Sequence, residues 1–152
     1  MNNIIRTTSP HRRPIMCLAV LCCAAPTWAL AQDAGDKQAL AQARMEAAQQ
    51  HQAALAQCGK MPVRDKDLCQ WTAKAERTKR EQRAEARYAG TPQAAHVARL
   101  SIAQADLEVG LRMCGQRSGT VSRTCKLEAR EQFSRAKADA EQAMRDGRTD
   151  LP

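Results

Sequence analysis

The sequence predicts an all-α protein built from two disulfide-closed antiparallel helical hairpins, which leaves open whether they dock as a four-helix bundle. Three observations carry this reading. From Gln32 to Pro152 the chain is dominated by Ala, Gln, Arg and Glu, and it has no alternating apolar run of the strand type. The spacing Cys-x10-Cys occurs twice, at Cys58/Cys69 and Cys114/Cys125. The chain also repeats itself at an offset of 56, with Cys58-Gly59 mapping onto Cys114-Gly115 and Cys69 onto Cys125. Ala47, Leu55, Ala73, Ala84 and Glu85 map in the same way onto Ala103, Leu111, Ala129, Ala140 and Glu141.

The first 31 residues read as a cleaved secretory signal peptide. Arg6, Arg12 and Arg13 give a basic start, Ile15 to Ala25 an apolar core, and Ala29-Leu30-Ala31 a small-x-small cleavage site. An apolar stretch of that length is too short for a bilayer, which needs roughly 20 residues. After cleavage the chain is therefore not expected to span a membrane. Removal of the segment leaves 21 basic against 16 acidic residues, a net charge of +5. It also leaves four of the seven cysteines, an even number in a chain bound for the oxidising periplasm.

Residues 32–152 form one small helical domain made of two hairpin repeats, about 36–89 and 92–146. Gly59, Gly90, Gly115 and Gly147 fall where helices should end. Asp36, Asp65, Thr91 with Pro92, and Ser122 fall where they should begin. The predicted helices are thus 36–58, 66–89, 92–114 and 122–146, with the hairpins joined at Gly90-Thr91.

Each helix carries a small or apolar seam at three- and four-residue spacing. The first seam runs Leu40, Ala43, Ala47, His51, Ala54, Cys58, and the fourth runs Cys125, Ala129, Phe133, Ala136, Ala140, Met144. The third runs Val97, Leu100, Gln104, Leu107, Leu111, Cys114. The second runs Leu68, Trp71, Ala75, Thr78, Gln82, Ala86, Ala89, with no large apolar residue between Trp71 and Tyr88, which places that helix at the margin. Trp71, two residues after Cys69, is expected to cap the first hairpin's core against its disulfide.

Neither cysteine pair has the close spacing of a zinc site or the C-x-x-C of a redox motif. Gly59 and Pro62 interrupt the first interval, and Gly115 and Gly119 the second, favouring local bridges Cys58–Cys69 and Cys114–Cys125 over the other pairings. Because most seam residues are Ala, the core is thin, and each closed loop of twelve residues contributes roughly 3 kcal/mol by restricting the unfolded chain.

Asp67-Leu68-Cys69 and Cys125-Lys126-Leu127-Glu128-Ala129, each following a Cys-x10-Cys interval and leading into Ala- and charge-rich helix, resemble small exported proteins of β-proteobacteria. The resemblance covers most of Gln32 to Met144 and implies export and helical hairpins, with no activity to carry over. Pro62, Trp71 and the richness in Arg depart from that pattern.

No nucleophile–base pair or paired carboxylate marks an active site, so a non-enzymatic role without a cofactor or metal is expected. Lys79, Arg80, Arg83 and Arg87 form a candidate anionic-surface site on the second helix. Arg80, Arg83 and Arg87 fall within about 60° of one another, opposite the Leu68/Trp71/Ala75 seam, and face solvent, with Glu76 and Arg80 as an i,i+4 pair. The expected partner is an envelope protein or an anionic lipid surface. The periplasmic compartment disfavours nucleic acid, and aromatic residues at 3% leave no stacking platform for it. The alternative is a metal- or redox-responsive envelope stress protein using His51, the methionines or a labile disulfide. His96 is expected to be exposed.

Overall fold

The computed structural model describes residues 28–152, with side chains from residue 36 onward, so the signal-peptide assignment lies largely outside the described residues. It contains four helices and no strand among the described residues: α1 (Trp28–Gly59), α2 (Val63–Ala89), α3 (Pro92–Gly115) and α4 (Gly119–Arg145). The expected cleavage point after Ala31 falls in the first turn of α1.

The α2–α3 joint follows the local chemistry read from the sequence. Gly90 adopts φ 60°, a left-handed conformation that ordinary side chains resist, and its N–H donates to the Ala86 carbonyl at 2.9 Å. Thr91 is the N-cap of α3, its Oγ1 accepting from the Ala94 N–H at 3.2 Å, and Pro92 takes the first helical position. The other two joints differ from expectation. Gly59 and Gly115 are the last residues of their helices and lack positive φ, whereas Gly119 at φ 58° opens α4. Accordingly α2 starts at Val63 rather than after Asp65, and α4 at Gly119 rather than after Ser122. Ser122, one turn in, donates its hydroxyl to the Cys114 carbonyl at 2.9 Å.

Both local disulfides are present. Cys58–Cys69 joins the end of α1 to α2, and Cys114–Cys125 joins the end of α3 to α4, each with Cα atoms 5.5 Å apart. Short turns make successive helices antiparallel, so both bridges lie at the same end of the molecule. The hairpins dock through α2 and α3. Helix α1 packs on α2, α2 on α3 and α3 on α4, and among the described residues α1 makes no contact with α3 or α4. The bundle is therefore an open row of helices, and it places α2 in the interior.

That position corrects the marginal place expected for α2. Its shortage of large residues reflects close approach on two sides, with Ala73 buried among residues of α1 and Ala75 among residues of α3. Helix α3 is likewise covered twice and buries Ala95, Ala98, Ile102, Ala103, Ala105 and Cys114. Its predicted seam is partly overturned, since Val97 is 49% exposed and Gln104 also faces out. In the end helices α1 and α4, which have one neighbour each, the predicted seams coincide with the covered face, apart from Met144 at its edge.

Polar contacts tie the row together. Arg44 of α1 meets Glu85 of α2 at 2.8 Å, and Arg112 of α3 grips both carboxylate oxygens of Asp67 at 3.0 and 3.2 Å. His96 is half-buried rather than exposed: its Nδ1–H donates to the Ala140 carbonyl at 3.1 Å, linking α3 to α4.

The segment after α4 folds back over the row. Arg99 bonds the carbonyl of Asp150 and lies 3.4 Å from its carboxylate, and Arg83 Nε donates to the Pro152 carbonyl at 3.0 Å. Hydrogen bonds from Arg148, at 2.7 and 3.0 Å, hold the Asp150 carboxyl down at about 2, with the charges of Arg148 and Arg99 adding to the effect. A carboxyl held below its ordinary value of 3.8 favours the native state above that value and stops doing so as pH falls through about 2. The pair between Arg148 and Asp150 is thus expected to persist from pH 7 to pH 4 and to release near pH 2. NMR of the Asp150 side-chain carboxyl against pH reads this directly, and a midpoint near 4 would show that the pair does not form.

Candidate functional site: the cleft between α1 and α2

The arginine stripe is brought together, though not as an isolated solvent face. Arg80, Arg83 and Arg87 line a shallow groove of about 250 Å³ whose opposite wall is α1, with Ala43, Glu46, Ala47 and Gln50. The wheel angle read from the sequence was right for the three side chains relative to one another. It carried no information about which neighbour lay across from them.

Lys79 does not belong to this group. One residue from Arg80 is about 100° around the helix, which turns Lys79 towards α3. There it pairs with Asp106 and with Glu76, the latter at 3.0 Å, and its side chain is only 17% exposed. Burial lowers its pKa, but the hydrogen bonds and charges of Asp106 and Glu76 outweigh that and leave it raised. Lys79 is a tie between the hairpins.

Engagement of Glu76 by Lys79 also removes the expected Glu76–Arg80 pair. Arg80 and Arg87 consequently make no ion pair or hydrogen bond among the described residues, while Arg83 holds the Pro152 carbonyl. The nearby Glu85 is taken by Arg44. The groove therefore presents two guanidinium groups without an ion pair among the described residues, across from the Glu46 carboxylate, and a third held by a backbone oxygen of Pro152.

Towards the disulfide end the groove runs into a deeper crevice of about 580 Å³, and Ala47, Gln50 and Arg80 line both. Ala54, Met61, Leu68, Ala73 and the Cys58–Cys69 bridge give it an apolar wall, and the carboxylates of Asp65 and Glu76, engaged by Arg64 and Lys79, line it as well. His51 also lines it, and its Nδ1 is buried without a hydrogen-bond partner. Arg77 stands at the edge, paired with Glu81 at 2.8 Å. The sequence placed His51 in the α1 seam but had no signal for the crevice itself, because an opening between two Ala-lined helices depends on how far apart they sit.

Trp71 lies elsewhere. It faces a second groove, about 550 Å³, over α2, α3 and α4, rather than the core of the first hairpin. Arg112 and Lys74 cover its ring, at 4.1 and 4.5 Å from the centroid, so it buttresses the α2–α3 joint by cation–π contact. Among the described residues no helix is long and apolar enough to cross a membrane, and no three His, Cys, Asp or Glu side chains gather to hold a metal ion. Compared with known proteins, the chain matches no family model, no curated protein and no solved structure.

Proposed function

We propose that this is a non-catalytic protein of the bacterial cell envelope whose α1–α2 groove binds an anionic envelope component, lipid phosphate being the simplest. One observation carries the binding reading: Arg80 and Arg87 line one groove without a partner for their charge. Guanidinium groups offer planar, bidentate donors that suit phosphate and carboxylate, and a surface helix gains no stability by keeping them unpaired. Export is supported by the basic, apolar and small-x-small order of residues 1–31 and by two disulfides, which persist in oxidising compartments.

The triple reversal R80E/R83E/R87E is expected to abolish adhesion to vesicles containing phosphatidylglycerol while far-UV circular dichroism stays unchanged. Wild-type adhesion should also weaken between low and physiological salt, as the Debye length shortens to about 8 Å. Adhesion indifferent to both changes would reduce the arginines to a solvated face.

A metal- or redox-responsive role draws on the placement of His51 and Met61 beside Cys58–Cys69. A stoichiometric copper or zinc site, or a reduction potential well above about −300 mV, would favour it.

A further inference from the structure

We infer that the crevice between α1 and α2, and not its repeat between α3 and α4, is a binding site for a single-chain anionic amphiphile. The apolar chain lies against Leu68, Ala73 and the disulfide, and the acidic head rests on Arg80. The inference rests on the proposed anionic partner and narrows it to one molecule in one site.

The internal repeat supplies the comparison. At the offset of 56, the crevice residues Ala47, Ala73 and Gln50 correspond to Ala103, Ala129 and Asp106, which line a crevice of about 400 Å³ in the second hairpin. The two clefts are thus the same feature of a duplicated unit. They differ where chemistry would differ. His51 is matched by Leu107, Arg77 by Phe133 and Arg80 by Ala136. At Ala54 the repeat has Gly110, where the Ala129 methyl comes within 3.4 Å of the place a Cβ would occupy. In the second hairpin, then, close approach and a Leu–Phe pair narrow the cleft, and its one charged lining residue is Asp106, so no cation there faces an anion. In the first, the cleft is larger, keeps a buried imidazole nitrogen without a partner, and carries Arg80 without an ion pair, while its carboxylates, Asp65 and Glu76, are engaged by Arg64 and Lys79.

An apolar wall beside one cation that makes no ion pair matches an apolar chain with one negative end. A neutral apolar ligand would leave Arg80 unused, and a small free anion would leave the apolar wall wet.

The test is titration calorimetry of the full chain, disulfides intact, with octanoate, decanoate and dodecanoate below their micellar concentrations. One ligand should bind per chain, and affinity should rise about threefold to fourfold per added methylene until the crevice is full. R80A should lower dodecanoate affinity at least tenfold. H51L/R77F, which copies the second crevice into the first, should abolish binding. It alters none of the three groove arginines, so vesicle adhesion should survive. Loss of dodecanoate binding with adhesion retained would separate this site from the wider proposal. Should H51L/R77F lose helicity, H51L and R77F made singly apply the same test, since neither residue lines the arginine groove. Dodecyl phosphate in place of dodecanoate distinguishes a phosphate-headed ligand from a free fatty acid. Two ligands per chain, equal affinity for neutral dodecanol, or indifference to R80A would overturn the inference.

Discussion

Reduction of both disulfides is expected to unfold most of this protein at 37 °C. Each bridge closes a loop of twelve residues, and the chain-entropy model assigns about 3 kcal/mol to such a loop. Domains of this size are typically stable by only about 5–15 kcal/mol, so losing two bridges removes a large part of the whole. The fold offers little to offset the loss. Apart from the cysteines, the buried side chains are Ala and one Ile, and a methyl contributes about 0.8 kcal/mol where a larger aliphatic chain contributes about 1.5–3.

The open row of helices adds a spatial prediction. Because among the described residues α1 packs on α2 and on no other helix, C58S/C69S should free α1 first, and because α4 packs on α3 alone, C114S/C125S should free α4 first. Thermal melts followed by circular dichroism should fall by about 12 °C per bridge, at about 4 °C per kcal/mol. Hydrogen exchange should show rapid exchange confined to the released helix in each double variant. A melting temperature unchanged by reductant would mean that helix packing suffices without the crosslinks.

Ile102→Ala should be the most damaging of the single aliphatic truncations, costing about 3 kcal/mol. Ile102 is 5% exposed and lies on α3, the helix covered from both sides by α2 and α4. The surrounding alanines are already at minimum size, so little can collapse into the space left behind. Val97→Ala on the same helix should cost less than about 0.5 kcal/mol, since Val97 is 49% exposed. Urea denaturation of the two variants compares them directly. Equal midpoints would mean that the covered face of α3 is wrongly assigned, and a greater loss at Val97 would restore the seam read from the sequence.

The hairpins and their crosslinks were legible because their causes are local. Equal cysteine spacing, the glycine at Gly90, and Thr91-Pro92 act within a few residues of themselves, and no distant contact is needed to interpret them. The seams of α1 and α4 were legible for a related reason: a helix with one neighbour buries one face, and three- and four-residue spacing reports that face. The same method found only part of the burial on α2, where Ala75 and Ala86 of the predicted seam are buried but Ala73 lay outside it, and less on α3. A helix with two neighbours buries two stripes, and in an Ala-rich sequence the second stripe looks like ordinary helix former. Ala98 therefore passed unremarked, and Ala73 counted only towards the repeat, while Val97 drew attention by its size.

The arginine stripe shows the division most clearly. Helical geometry by itself determined that Arg80, Arg83 and Arg87 share a face, just as sequence spacing determined the all-α hairpins and both disulfides. Tertiary structure decided that α1 stands across from that face, that Lys79 is consumed by Asp106 and Glu76, and that the 580 Å³ crevice opens beside Arg80. The physical reason is that sequence encodes angles along one helix, whereas grooves and charge pairs between helices depend on the distance and rotation of a second helix. Those are settled only when every Ala contact along the row is satisfied at once.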